Sequence, residues 1–214
     1  MPFSNLISRF ASSDIIYRIP ALLIALTLHE LAHGYVAYRL GDPTAKQQGR
    51  LTLNPLKHID PIGLLALWLV GFGWAKPVPV NPMYFKGDRR RGMFLVGLAG
   101  PATNFVLAFL FAFLMRVPAL QSPNMLFLLE LSLIYNVFFG VFNLLPLPPL
   151  DGSKVIAYFL PQSAVVQLNQ LEQYGPLLLM LLIFTGMLSR ILIPMANVVL
   201  NIIIRIVVFV TGGI

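Results

Sequence analysis

The stretch PALLIALTLHELAHGYVAYRL, residues 20–40, decides the fold. It is long enough to cross the roughly 30 Å hydrocarbon core of a bilayer as an α-helix, and Gly41, Asp42 and Pro43 end it. The run nevertheless contains a glutamate and two histidines. A charged side chain in such a helix costs about 2.5–3.5 kcal/mol on insertion scales, so ionisable groups there indicate function. The sequence therefore predicts a membrane-spanning helix that carries a site.

The composition of the whole chain agrees with a membrane protein. Of its 214 residues, 57% are hydrophobic and 11% charged, whereas about 25% would be charged in a soluble domain. The net charge is +7, but nine of the fifteen basic residues fall between Arg39 and Arg91. They indicate a cytoplasmic loop facing anionic lipid, and we expect no nucleic-acid partner. The absence of cysteine excludes thiolate metal sites.

The other apolar runs predict an all-α polytopic bundle of about five transmembrane helices. Residues 92–115 and 125–145 form two crossings, and a C-terminal helical hairpin occupies about 173–210, its break falling at Ser189 and Arg190. Residues 61–75 are short and interrupted by glycine, which favours a re-entrant segment. We expect one integral-membrane domain over 1–214, with its core at about 20–160. The basic loop predicts that the ionisable groups of the first helix lie toward the cytoplasmic side, and we expect the cell membrane.

Small β-hairpin elements are expected in the cytoplasmic loop region. The segment KPVPVN, residues 76–81, has strand character, and its two prolines confine it to a sheet edge. The segment LTLN, residues 51–54, is a plausible partner. Such an edge could hold an extended substrate by strand addition. An ordinary cytoplasmic hairpin explains the same pattern equally well.

His29, Glu30 and His33 form an H-E-x-x-H motif on the first helix. Four residues of helix bring the two imidazoles within about 40° of each other on one face, where both can bind one zinc ion. Glu30 projects beside them, in position to take a proton from a metal-bound water. A purely structural alternative pairs Glu30 with a basic residue of another helix. Apart from Arg205, however, no lysine or arginine lies within the other apolar runs.

A third zinc ligand is required if water keeps the fourth position. Among the eight acidic residues, Glu30 is the base and five others lie in loops. Glu130 lies near the outer end of its helix, where we expect an interfacial or helix-pairing role. Asp151 remains, in NLLPLPPLDG, where three prolines end a helix on the cytoplasmic side. His58, in KHIDP, is expected to stabilise a loop.

Two separated motifs, HELAHG and NLLPLPPLDG, together resemble the site-2 protease family of intramembrane zinc metalloproteases, in its small form without a PDZ domain. The likeness extends to GRLTLNPLKHIDPIG at 49–63, AKPVPVNP at 75–82 and GPATN at 100–104. It implies a three-helix catalytic core, with zinc (Zn2+) bound by His29, His33 and Asp151 and with Glu30 as base. Many members have Asn-Pro-Asp-Gly where this chain has Pro-Leu-Asp-Gly, so Asn143 is a candidate for the missing asparagine.

The resemblance also implies a function. The expected reaction is hydrolysis of a peptide bond in or near a transmembrane segment of a membrane protein, usually after another protease has shortened the substrate. Asn104 and Asn143 are candidates for contacting the substrate carbonyl or a ligand histidine. The alternative is a membrane zinc-binding protein or transporter without proteolysis. Glu30 argues against it, because a transport site needs ligands but no base beside them.

Overall fold

The computed structural model describes residues 15–63 and 73–212. Eight helices in these ranges position the site and are labelled α1 to α8: α1 (Ile15–Arg39), α2 (Thr44–Gln47), α3 (Arg89–Leu114), α4 (Pro123–Asn143), α5 (Asp151–Ala157), α6 (Gln162–Glu172), α7 (Gly175–Phe184) and α8 (Met187–Val210).

Four of these helices, α1, α3, α4 and α8, are long and apolar enough to cross a membrane. Together with the composition, they make the chain an integral membrane protein. The expectation of about five crossings is not confirmed, because α7 has ten residues and is therefore about 15 Å long, half of a bilayer core. The re-entrant segment expected at 61–75 falls largely outside the described residues.

Local sequence explains most helix boundaries. The Asp88 side chain caps α3 by accepting hydrogen bonds from the N–H groups of Arg90 and Arg91. Proline occupies the first turn of α4, where no intrahelical donor is lost. The break between the last two helices was predicted at Ser189 and Arg190 and actually falls at Gly186. Gly186 has φ +70°, a backbone conformation that glycine adopts without strain.

Helices α1, α3 and α4 pack against one another. Small residues make this possible, since Ala21 and Ala25 of α1 are fully buried. Helix α8 covers the outer side of α3 and α4 through an apolar cluster: Ala108, Phe111, Ala112, Leu129, Leu133, Val137, Val141, Ala196, Leu200, Ile203 and Val207. The short helix α5 packs on α3. The polar site described below therefore lies where α1, α3 and α5 meet.

The small β-hairpin elements are not found in the described ranges. Within residues 15–63 and 73–212, β-type pairing is limited to one isolated antiparallel bridge between Ile59 and Ala75, with the Lys76 N–H donating to the His58 carbonyl at 3.0 Å. LTLN at 51–54 is not a strand and is not the partner of KPVPVN. Two prolines in KPVPVN remove the donors that a regular ladder would need, and side chains bind this segment instead.

Candidate metal centre

Helix α1 presents His29 and His33 to the interior, where they are 4% and 7% exposed. Their rings meet edge to face with centroids 4.6 Å apart. Gly100 of α3 makes room for them, since a Cβ there would lie 2.6 Å from Cε1 of each ring. The glycine of GPATN is therefore a feature of the site.

Asp151 reaches the same point from the first residue of α5. The prolines of NLLPLPPLDG end α4 before it, and the chain turns back so closely that a Cβ at Gly152 would collide with the carbonyl groups of Leu144 and Leu145. Gly152, which lacks a Cβ, thus allows the start of α5 to approach the backbone at the end of α4 closely. This geometry directs the Asp151 carboxylate, 6% exposed, toward the two histidines.

Three potential ligand atoms converge there. Nε2 of His29 and Nε2 of His33 are 3.0 Å apart, and Oδ2 of Asp151 lies 3.1 Å from the first and 3.0 Å from the second. Among the described residues, this is the one group of three or more His, Cys, Asp or Glu that could hold a metal ion. The structure therefore brings together the three residues that the sequence singled out.

Hydrogen bonds fix which nitrogen of His29 faces this cluster. The amide nitrogen of Asn104 donates to the Ala25 carbonyl at 3.1 Å and to Oδ1 of Asn136 at 2.9 Å. Its Oδ1 must then face Nδ1 of His29, 2.6 Å away, and accept a hydrogen bond from it. A neutral His29 consequently keeps a lone pair on Nε2, as a metal ligand requires.

The Asn136 amide is oriented in turn, because its nitrogen donates to the Ser132 carbonyl within α4 at 2.8 Å. Asn104 and Asn136 are both fully buried. An ordered chain of hydrogen bonds therefore runs from α4 through α3 to the metal-facing ring of α1. The sequence had made Asn104 a candidate for contacting a ligand histidine, and in the structure Asn104 contacts His29.

His33 is held in the same tautomer by the protein backbone. Its Nδ1 lies 2.7 Å from the Val96 carbonyl oxygen, which can only accept. With both histidines neutral, three acceptor atoms lie within 3.1 Å of one another and are stable together only around a cation. Tetrahedral ligands at zinc bond lengths lie about 3.3–3.4 Å apart. The donor set and spacing therefore fit zinc.

The second carboxylate oxygen of Asp151 is also occupied. Oδ1 accepts a hydrogen bond from Nζ of Lys154 at 3.0 Å, one turn along α5. The group is thus a carboxylate that offers one oxygen to the cluster.

Glu30 lies on α1 beside the histidines and is half-buried. Its Oε2 accepts a hydrogen bond of 2.8 Å from the backbone N–H of Val78. Sequence reasoning missed this contact, which joins residues 48 positions apart through a main-chain donor. It missed the contacts of Val96 and Lys154 as well, although a lysine three residues after a ligand aspartate on a helix is a detectable signal.

The remaining candidates lie elsewhere. The Asn143 amide donates to the Phe139 carbonyl of its own helix at 3.1 Å, and no contact with the metal-capable cluster is found in the described chain. The Nε2 atom of His58 lies 2.9 Å from the Thr52 carbonyl oxygen in the loop after α2, as its interpretation as a loop residue predicts. Glu130 is not part of the cluster.

The motif, the metal-capable cluster and the adjacent Glu30 together indicate a membrane-embedded metallopeptidase. The model of Peptidase family M50 matches residues 17–121. The chain is 43% identical over 189 residues to "Putative zinc metalloprotease YwhC" of Bacillus subtilis, covering 85% of this chain and 86% of that protein. It is 35% identical over 176 residues to "Putative zinc metalloprotease Rip2" of Mycolicibacterium smegmatis, covering 78% and 66%. No solved structure matches significantly.

This chain belongs to Peptidase family M50, the site-2 protease family. The resemblance drawn from HELAHG and NLLPLPPLDG is confirmed, and so are the assignment as a metalloprotease and the use of zinc. Family membership therefore favours an enzyme over the transporter alternative.

Proposed function

We propose that this protein hydrolyses a peptide bond in or near a transmembrane segment of a membrane-protein substrate, with His29, His33 and Asp151 as the zinc ligands and Glu30 as the general base. One observation carries the proposal: three buried acceptor atoms, two from the membrane helix α1 and one from α5, lie 3.0–3.1 Å apart, and the acid Glu30 of α1 lies beside them.

Zinc, when bound, supplies Lewis acidity, which polarises a peptide carbonyl and makes water a nucleophile near neutral pH. The remaining chemistry belongs to the side chains. Asn104 and the Val96 carbonyl hold the two imidazoles in the tautomer that offers Nε2. Glu30 accepts the proton of the attacking water and delivers it to the leaving amine. Lys154 keeps one Asp151 oxygen away from the cluster.

The depth of the site supports a membrane-protein substrate. His29 lies ten residues and His33 six residues before Arg39, the last residue of α1. At 1.5 Å per residue, the ligands lie about 9–15 Å from that helix end, within half of a bilayer core of about 30 Å. The basic loop follows directly, so we assign this end to the cytoplasmic side of the cell membrane.

We propose that the substrates are transmembrane proteins whose outer part another protease has already shortened. We also propose that residues 20–160 form the catalytic core of one membrane domain spanning 1–214. The C-terminal helices would then pack against that core, as the cluster between α8 and helices α3 and α4 suggests.

The test uses the purified, zinc-loaded protein in proteoliposomes with a single-span model polypeptide, supplied with a long and with a trimmed outer segment. Mass spectrometry locates the new termini. We expect cuts within or beside the transmembrane segment, more rapid for the trimmed form. Glu30→Gln should abolish them while zinc is retained, and the exposed Glu172→Gln serves as a matched control. Equal cleavage by Glu30→Gln, or cuts confined to soluble polypeptides, would contradict the proposal.

A further inference from the structure

The backbone N–H of Val78 contacts the proposed catalytic base directly, at 2.8 Å from Glu30 Oε2. A carboxylate that accepts a hydrogen bond on one oxygen has a restricted orientation and leaves its other oxygen for further chemistry. Reacting groups displaced by about 1 Å can lose 100-fold in rate. A main-chain donor is well suited to this task, because it moves only if its whole segment moves.

The sequence around Val78 leaves one donor at this point. Pro77 and Pro79 have no N–H, so Val78 contributes the single amide hydrogen between Lys76 and Val80. The Val80 N–H has no hydrogen-bond partner in the part of the chain that the structure describes. The Pro-Val-Pro pattern therefore provides one N–H at the base, without neighbouring donors to compete for it.

The segment is anchored on both sides of this contact. The guanidinium of Arg50, 5% exposed, donates to the Lys76 carbonyl at 2.7 Å. The carboxylate of Asp42, fully buried, accepts from the Asn81 N–H at 2.6 Å. Two buried charges thus hold residues 76–81 at either end by their backbone. Neither charge touches the metal-capable cluster.

Side-chain packing sets the distance between the segment 76–81 and helix α1. Val78 is 7% exposed, and a Cβ at Gly34 would lie 2.9 Å from Val78 Cγ1. Gly34 lies one helical turn after Glu30, on the same face of α1. The missing side chain at Gly34 therefore lets the segment approach closely enough for its N–H to reach the carboxylate.

We propose that the segment Lys76–Asn81 positions the catalytic base, with the Val78 N–H as the positioning group and Arg50 and Asp42 as its anchors. This inference rests on the proposed role of Glu30. It differs from strand addition, in which the segment would bind substrate. A positioning role affects turnover, whereas a substrate-binding role affects KM.

The first test compares proline substitutions in the zinc-loaded full-length enzyme. Val78→Pro removes the donor, and Val80→Pro removes an N–H that has no partner. We expect Val78→Pro to lower kcat about 10- to 100-fold, the range for losing a hydrogen bond to a charged group, with KM and zinc content nearly unchanged. Val80→Pro and Val78→Ala both retain the Val78 N–H, so each should keep a higher kcat than Val78→Pro. A raised KM with unchanged kcat in Val78→Pro would overturn the proposal in favour of substrate binding.

The second test requires neither a substrate nor a proline substitution. Amide hydrogen exchange of the zinc-loaded protein should show the Val78 N–H protected, and Glu30→Ala should accelerate its exchange about tenfold or more. The Asn81 N–H, bound by Asp42, is the internal control and should remain protected. Unchanged exchange at Val78 would overturn the proposal. If the wild type cleaved no membrane substrate, the proposed function would fail, while the exchange result would still decide whether Val78 holds Glu30.

Discussion

Asn104 Oδ1 lies 2.6 Å from Nδ1 of His29 and joins two helices across 75 residues of sequence. The rest of the Asn104 amide is engaged by Ala25 and Asn136, so its oxygen can only face the histidine. This contact orients the ring and determines which nitrogen carries the proton. The amide therefore leaves Nε2 of a neutral His29 as an acceptor that faces the cluster, as a metal ligand would require.

Asn104→Leu should weaken zinc binding by about 10- to 100-fold, because a ligand histidine loses the group that fixes its tautomer. Competition with a chelator of known affinity measures the change, and the absorption spectrum of the cobalt-substituted protein should change as well. Asn136→Leu, one bond further away, should show a smaller loss. Asn201→Leu is the control, since that exposed amide bonds within its own helix. Equal zinc affinity in Asn104→Leu and wild type would contradict the assignment.

Gly100→Ala should abolish zinc binding, because the added Cβ would lie 2.6 Å from Cε1 of both His29 and His33. Gly140→Ala is a control for overpacking in another helix, where the added Cβ would lie 2.7 Å from Phe105 Cε1 and not against the histidine rings. Both variants are expected to lose stability by about 1–3 kcal/mol through overpacking. Thermal unfolding and zinc content of the purified proteins check this. Retained zinc in Gly100→Ala would show that the rings do not lie against α3.

Lys154→Met should reduce zinc affinity about tenfold, since the Asp151 carboxylate would lose the partner of its second oxygen. The effect is placed at the low end of the range for such contacts because the lysine side chain is 37% exposed. Lys57→Met, an exposed lysine outside the cluster, should leave the affinity unchanged. Chelator competition on both variants is the measurement. Equal zinc affinities of Lys154→Met and wild type would contradict a role for Lys154 in holding the Asp151 carboxylate.

Much of the site could be predicted from local spacing and chemistry. Two histidines four residues apart on an apolar helix fix a shared face, and counting the acidic residues left Asp151 as the third ligand. The contact between Glu30 and Val78 could not be predicted in this way. It depends on a backbone donor, and backbone groups carry no residue-specific signal in a sequence.

The fold was predictable to the same extent. The bounds of α3 and α4 follow from long apolar runs, which only helices can form across a bilayer. The last two helices were assigned a break at the polar pair Ser189 and Arg190, whereas the chain turns at Gly186. Both polar residues lie on the exposed surface of α8. Their polarity therefore reflects exposure on a helix and does not indicate a helix end. The expected β pairing at 51–54 is not found. Instead, the Arg50 guanidinium donates to the Lys76 carbonyl, and the Lys76 N–H donates to the His58 carbonyl.

The most direct test of the account is the zinc content per chain of the purified protein, measured for wild type, Glu30→Gln and Asp151→Ala. The account predicts about one zinc ion per chain in wild type and in Glu30→Gln, and loss or marked weakening in Asp151→Ala, because two histidines and water alone bind zinc poorly. Full zinc retention in Asp151→Ala, or loss of zinc in Glu30→Gln, would contradict the division into three ligands and one base.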